Sequence, residues 1–293
     1  MKFLIYSLGL KGFNVVRALS ESRFDIDIRC VIGRDGSMVD DFSDALGRYC
    51  ANKGIEFSFR GDEQIKSMDC DYALTAGWRW IINDLPEGKL IVFHDSLLPT
   101  YRGFAPLVNA LLNKETQIGV SVIFGVDEYD KGNIIAQKCI DVTYPTCIQT
   151  EIQRIADLYA ELAVLVASNL IRNDVLISQP QDEEKASYSL WRDEDDYRID
   201  WQLSAQDIQH FIACVGYPYL GASAILNRRL VRIYKATALN DVKVVNRSTG
   251  KVIFINNGCP VVVCGSGLLL IEDGKYSGGE SLLPLVAFRS RFN

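Results

Sequence analysis

The chain has 293 residues, 48% hydrophobic and 23% charged, with a formal net charge of −6 and a pI near 5.1. That length suits two domains rather than one, and the apolar content excludes wholesale disorder. The acidic balance argues against a large polyanionic partner unless basic residues cluster locally.

In chain order, "KFLIYSLGLKGFNVVRALSES" predicts a buried strand, a glycine turn and a helix with Phe13, Val16 and Leu19 on its apolar side. Gly9 and Gly12 do not complete G-x-G-x-x-G, so the turn reads as a tight strand-to-helix connection, not a dinucleotide site. "FDIDIRCVIGRDG" predicts a second strand, "SDALGRYCANKGI" a helix and "DYALTAGW" a third strand. Strand and helix alternation of this kind implies right-handed βαβ units and a parallel sheet. Lys89 to Phe93 is a further strand, as are 118–126 and 133–142, and 150–171 is a long helix closing the first domain. The polar, acidic stretch that follows reads as a linker. Ser204 is placed to cap a helix that Gly216 stops. From Gly221 onward, short strands punctuated by Asn and Gly suggest a small β-barrel. The expected division is a catalytic domain over 1–180, a linker over 181–203 and a β domain over 204–293.

The eight cysteines are scattered without a C-x-x-C pair, and His94 and His210 are the two histidines. The expectation is reduced thiols, packed mostly as small hydrophobes, and no metal site. The N-terminus lacks a signal-peptide pattern, and no apolar stretch approaches the ~20 residues that span a bilayer. The expected location is the cytoplasm, with no membrane partner.

The stretch "VFHDSLLPTYRG" (92–103) delivers His94 at the C-terminal end of a strand, where open α/β sheets bind ligands. "FGVDEYDKGNII" places Asp130 after another strand end. A carboxylate beside a histidine orients the ring and stabilises its charged form, the usual support for a general acid or base. On residue type alone, His94 could equally be structural and Asp130 an ordinary turn residue.

"HDSLLPTYRGFAPLVNALLNKETQIGVSVIF", followed by "DKGNIIAQ", resembles the formyltransferase family that uses 10-formyltetrahydrofolate. The family motif runs N-x-H-x-S-L-L-P-x-x-R-G, then alanine-proline, a G-E-T-x-x-G-V-T strand and D-x-G-x-I. The resemblance implies an α/β fold: an N-terminal Rossmann-like formyl-transfer domain with a mainly parallel sheet, plus a small C-terminal OB-like β-barrel beginning near "YRIDW". By the same resemblance His94 relays a proton from the attacking amine, and Asp130 positions the histidine and supports its charge. Ala76, Gly77 and Trp78, with Val126, Asp127, Glu128, Tyr129 and Asp130, match segments lining the folate site. Ser96, Leu97, Leu98 and Pro99 match the loop that closes around the cofactor. The implied reaction is attack of an amine on the formyl carbon, followed by collapse of a tetrahedral intermediate.

One position departs from the pattern. The family asparagine two residues before the histidine donates to the developing oxyanion, and here that position is Val92. Losing such a donor costs about 100- to 1,000-fold in kcat. A loop N–H, the His94 ring or the Asn133 amide could substitute, or the protein could be a weakly catalytic folate-binding or regulatory relative.

Two acceptors stay open. A tRNA acceptor stem needs a stripe of Lys and Arg. Only Arg228, Arg229, Arg232 and Lys235 cluster, while Asp182 to Glu184 and Asp193 to Asp196 are acidic. A nucleotide-linked amino sugar is the acceptor of the family's sugar branch, and "SLWRDEDDYRIDW" looks like that branch's interdomain segment. Trp191 could then stack on a base or sugar, or instead pack as a hinge. Arg192 could meet a diphosphate through its planar fork. Tyr101 and Arg102 would lie at the acceptor entrance, with Phe104 where some sugar enzymes have arginine. The amino sugar is the preferred reading, methionyl-tRNA formylation the alternative, and a homodimer enters by analogy with the sugar branch.

Overall fold

A computed structural model describes residues 1–62, 65, 69–82, 84–172 and 175–293. By Cα proximity the chain divides into two units, Met1–Thr143 with Thr150–Trp191, and Tyr144–Gln149 with Arg192–Asn293.

The first unit is built on a seven-stranded sheet, β3-β2-β1-β4-β5-β7-β8. Its strands are β1 (Lys2–Ser7), β2 (Asp27–Ile32), β3 (Glu56–Phe59), β4 (Tyr72–Ala76), β5 (Leu90–His94), β7 (Gln117–Phe124) and β8 (Ile134–Asp141). β1 to β5 run parallel, and β7 and β8 extend the sheet as an antiparallel hairpin. The mainly parallel expectation thus holds for five strands. The connection from β7 to β8 is too short for a crossover helix, so those two must reverse direction.

Phe3, Leu4 and Ile5 of β1 are all at most 1% exposed, the continuous apolar run of a strand covered on both faces. On one face lie α1 (Gly9–Ser20), whose Val15, Val16 and Leu19 are buried, and α4 (Ile148–Ile171). In α4, Ile155, Tyr159, Leu162, Val166 and Leu170 are buried at helical spacing. Burying each such aliphatic side chain contributes about 1.5–3 kcal/mol. Tyr159 stacks on Phe93 of β5 at 5.5 Å between ring centroids. On the opposite face Leu4, Val31 and Ala73 form a cluster with Tyr6, Trp78 and Leu90. The unit also contains the helices α2 (Ser43–Lys53) and α3 (Pro106–Leu112), and a two-residue pair, β6 (Arg102–Gly103) against β9 (Tyr188–Ser189).

The second unit is a five-stranded antiparallel sheet, β10-β11-β14-β13-β12. The strands are β10 (Ala222–Leu226), β11 (Arg229–Leu239), β12 (Val252–Asn256), β13 (Cys259–Val263) and β14 (Leu268–Tyr276). α5 (Ala205–Cys214) packs on β11. Ser204 caps α5 as expected, its hydroxyl accepting from the Asp207 N–H at 3.0 Å. Phe292 bridges to Leu226 and Arg291 to Lys251, so the chain's last residues cover both sheet edges.

The division differs from the expected linker of 181–203. Gln181 to Ser189 bond to the first unit (below), whereas Ile199 and Trp201 are buried in the second, Trp201 against Phe292 at 5.6 Å. Four of the eight cysteines are buried, three are half-buried and Cys139 is exposed. Among the described residues no helix is long and apolar enough to cross a membrane.

Candidate active site

His94 ends β5 and is 7% exposed. Its Nδ1 lies 3.4 Å from Oδ1 of Asp130, and its Nε2 is 2.8 Å from the Tyr101 carbonyl oxygen. A carbonyl and a carboxylate both only accept, so the neutral ring donates to one of them and turns a lone pair to the other. Once the ring gains a second proton, both ring N–H groups have an oxygen to face.

Asp130 sits in the β7–β8 connection with φ +55°, a left-handed conformation that aspartate tolerates. Its second oxygen accepts from the Gly103 N–H at 2.8 Å. Gly103 has φ +99°, and a Cβ there would lie 2.6 Å from the Ser189 carbonyl. Only glycine lets β6 lie this close to β9.

Three consecutive residues thus serve the pair: Tyr101 holds the histidine, Gly103 the aspartate, and Arg102 anchors both from behind. Arg102 is fully buried. Its Nε and Nη2 donate to Gln181 Oε1 at 3.0 and 2.8 Å. Nη1 and Nη2 form a fork with Glu183 at 2.9 and 2.7 Å, and Nη1 also reaches the Tyr188 hydroxyl at 3.3 Å. All five guanidinium donors are engaged. The Glu183 carboxylate raises the arginine's pKa further, and Arg102 in turn lowers that of Glu183. Gln181 turns its amide nitrogen to the Asp130 and Gly132 carbonyls at 2.6 and 2.8 Å. Arg102, expected at the acceptor, is therefore committed to a strap running through Gln181, Glu183 and Tyr188. Sequence reading missed all three.

The loop after His94 is held from the sheet. Ser121, in register with His94 on β7, donates to the Ser96 carbonyl at 2.6 Å and accepts from the Leu98 N–H at 2.9 Å. Gln137, its neighbour on β8, donates to the Leu98 carbonyl at 2.9 Å and to Ser121 at 2.7 Å. Ser96 spends its hydroxyl on the Thr100 carbonyl at 2.7 Å. Leu98 is 3% exposed, and Leu97 packs over Gly119. Of the four residues expected around a cofactor, Leu97 and Pro99 keep partly exposed side chains, and Ser96 and Leu98 serve the loop itself.

Asp95 forms a second buried network absent from the sequence reading. It pairs with Lys11 of α1 and accepts a hydrogen bond from Tyr159, whose hydroxyl also contacts the Phe93 carbonyl at 3.1 Å. Burial alone would push the Asp95 carboxyl up, but Lys11, Tyr159 and His94 outweigh it and hold it below the ordinary aspartate value. Burial and the Asp95 charge push the Tyr159 phenol up, so it remains an O–H donor. A carboxylate with a depressed folded pKa contributes stability above its unfolded value, about 3.9, and loses it as pH falls through the folded value. Asp95→Asn should therefore cost about 1.5–3 kcal/mol at neutral pH and flatten the fall of Tm below roughly pH 4. Melting curves of both proteins from pH 2.5 to 7 check this; parallel acid limbs would refute it.

The remaining expected residues lie as follows. Ala76 is fully buried, and its carbonyl accepts from the Leu8 N–H at 3.0 Å. Gly77 turns at φ +67°, where a Cβ would sit 2.4 Å from the Leu8 carbonyl. Trp78 packs against Tyr6 and Trp80; its Nε1 is sealed and has no partner among the described residues. Val126, Asp127, Glu128 and Tyr129 are exposed, with Glu128 paired to Lys131. Tyr129 meets Phe104, 39% exposed, at 6.0 Å. The Tyr101 hydroxyl is engaged with Glu115 at 2.6 Å and Asn113 at 3.0 Å. Trp191 is 63% exposed in the first unit. In the second unit Arg192 donates to the Asp196 carbonyl at 2.5 Å and lies over the Tyr197 ring at 5.6 Å. Val92 is half-buried and, two residues before His94 on β5, shares its face. Of the substitute donors considered, Asn133 is exposed and His94 Nε2 is taken by Tyr101.

A buried histidine–carboxylate pair at the carboxyl ends of a mainly parallel sheet, beside exposed apolar side chains, suits proton transfer during attack by a nucleophile. The formyl transferase model matches residues 48–167, and the formyl transferase C-terminal domain model residues 192–289. The methionyl-tRNA formyltransferase of Fusobacterium nucleatum subsp. nucleatum is 30% identical over 235 residues, 78% of this chain and 75% of that one. Among solved structures, HypX from Aquifex aeolicus aligns with a TM-score of 0.65 at 15% identity. The alignment covers 96% of this chain but 45% of HypX, so the chain spans under half of that protein. WlaRD, a sugar 3N-formyl transferase crystallised with dTDP and 5-N-formyl-THF, aligns with a TM-score of 0.65 at 17% identity, covering 93% and 97% of the two chains. An N-formyltransferase from Helicobacter canadensis, in complex with folinic acid and dTDP-3-aminofucose, aligns with a TM-score of 0.65 at 16% identity over 93% and 99%. The two matching family models and the curated relative define a one-carbon group transferase. The chain belongs to the formyl transferase family.

Proposed function

We propose that this protein transfers the formyl group of 10-formyltetrahydrofolate to the amine of a nucleotide-linked amino sugar, with His94 as proton relay and Asp130 as its support. The observation that carries this reading is the His94–Asp130 pair at 3.4 Å, both side chains at most 13% exposed. The donor folate fits the residues present: Val126, Tyr129 and Phe104 offer exposed apolar surface for a flat ring. When bound, the folate supplies an activated formyl carbon.

The protein's own groups do the rest. His94 takes the amine's proton on its ring, whose two N–H groups then face the Tyr101 carbonyl and Asp130. Asp130 balances the imidazolium and, through Gly103, stays registered with the loop that carries Tyr101. Such proton transfer contributes roughly 10²- to 10⁴-fold.

For the acceptor, charge placement favours a small molecule. Three of the four cations of the second unit's basic cluster are paired locally: Arg229 with Glu280, Arg232 with Glu194, and Lys235 with Glu272 at 3.6 Å. A tRNA stem needs cations free to replace counterions. The two sugar N-formyltransferases of similar fold support the same choice. The second reading, methionyl-tRNA formylation, is favoured by the curated relative at 30% identity.

The test is tetrahydrofolate release from 10-formyltetrahydrofolate with dTDP-3-aminofucose as acceptor, alongside retention on immobilised tRNA at low salt. Turnover with the sugar and no tRNA retention is expected. Retention with formylation of methionyl-tRNA would transfer the assignment to the second reading. A wild type that is silent with both acceptors while Val92→Asn turns over would identify a folate-binding relative rather than an enzyme.

A further inference from the structure

Resting on the formyl-transfer reading, we infer that the Thr75 hydroxyl contacts the formyl oxygen in place of the amide missing at Val92. In the sheet register Thr75 of β4 lies directly beside Val92 of β5. Neighbouring parallel strands are about 4.8 Å apart, and residues in register share a face. His94 is two residues further along β5 and therefore on that face as well.

The row of side chains crossing the sheet at this level is Val31, Tyr6, Thr75, Val92 and Ile123. Both residues on the far side of Thr75, Val92 and Ile123, are apolar. The next row holds His94, Ser121 and Gln137, and Ser121 and Gln137 are consumed by the 96–98 loop. β4 ends at Ala76 and the chain turns at Gly77, so no side chain of β4 stands beside His94. That leaves Thr75 as the hydroxyl nearest in register to Val92 and His94 whose hydrogen is uncommitted.

Thr75 is 6% exposed, yet its hydroxyl has no hydrogen-bond partner among the described residues. Buried hydroxyls are normally paired, and an unpaired one beside a reactive pair calls for a ligand to complete it. Nor is it one of the fully sealed unpartnered hydroxyls, those of Ser7, Ser58 and Ser223. A threonine hydroxyl can donate to a developing oxyanion as an amide does. The donor is moved one strand sideways, and Val92 then forms an apolar floor beside it.

The experiment separates this contact from turnover. 10-Formyl-5,8-dideazafolate labelled with carbon-13 at the formyl carbon is bound to wild type, Thr75→Val, Thr75→Ser and Thr75→Val/Val92→Asn, and the labelled carbonyl stretch is read by isotope-edited infrared difference. The isosteric Thr75→Val should move the band to higher wavenumber and lower kcat by about 100-fold, with the analogue's Kd little changed. Thr75→Ser should keep both readouts, and Val92→Asn should restore them in the Thr75→Val background. An unchanged band in Thr75→Val, with the analogue bound, overturns the assignment even if the protein proves an active enzyme. A band that shifts in a protein without turnover sustains the contact and defeats the enzymatic reading. Failure of wild type to bind the analogue overturns both.

Discussion

Asp130→Asn should lower kcat/KM for formyl transfer by about 10²- to 10⁴-fold without unfolding the protein. Asparagine has the shape of aspartate, so the backbone at φ +55° is tolerated as before. The difference lies in which end of the amide faces which neighbour. The Gly103 N–H requires an oxygen, now supplied by Asp130 Oδ2 at 2.8 Å. If the amide oxygen stays there, the NH₂ end turns to Nδ1 of His94, 3.4 Å away in the native pair. It then caps the lone pair that must take the amine's proton, and no negative charge remains to balance the imidazolium. The reverse orientation leaves the Gly103 N–H without an acceptor, which costs about 1–3 kcal/mol. Either way the substitution acts on proton transfer. Steady-state rates, with melting temperature and folate binding as controls, should show loss of kcat and near-native values for the other two. A variant retaining a tenth or more of native kcat/KM would remove Asp130 from the mechanism.

Much of the α/β unit is legible in the sequence because its strands and helices carry long periodic or apolar signals. β1, β4, β5 and α4 are examples, with Phe3 to Ile5 and the Ile155–Leu170 stripe visible as written. The elements that escape are short. β3 has four residues and α3 seven, while β6 and β9 have two each, and no periodicity develops over such lengths. The antiparallel direction of β7 and β8 was readable in principle from the nine residues between them. His94 stands out as one of two histidines at a strand end, and Asp130 through the motif that carries it. The role of Arg102 is not legible in the sequence, for a physical reason. Its acceptors lie 79 to 86 residues later in the chain, and an arginine's type says nothing about whether its donors are already used. The same holds for Asp95, whose partners Lys11 and Tyr159 are 84 and 64 residues away. Val92 and Thr75 show the converse. The departure was evident at once, but its neighbour in space emerged only from strand register.

Arg102→Met tests whether the strap positions the active pair, and the expected result is a fall of roughly 100-fold in kcat together with lower stability. Methionine fills much of the same buried volume but donates no hydrogen bond. Glu183 is 62% exposed and returns to water at little cost. Gln181 does not recover as easily, because its oxygen now serves two arginine donors while its nitrogen holds the Asp130 and Gly132 carbonyls. Losing the guanidinium frees Gln181 to rotate, and the Asp130 loop and the 101–103 segment lose their common anchor. Five hydrogen bonds at about 1 kcal/mol net each, offset by the apolar gain of methionine, leave a loss of roughly 2–3 kcal/mol. A displacement near 1 Å between reacting groups is worth about 10²-fold in rate, which sets the kinetic expectation. Arg102→Lys should not rescue it, since an ammonium cannot reproduce the planar fork on Glu183 and Gln181. A direct acceptor contact predicts a different pattern: unchanged melting temperature, unchanged kcat at saturating acceptor and a raised acceptor KM. Measuring those three quantities for both variants decides between the roles, and the acceptor-contact pattern would dismantle the strap.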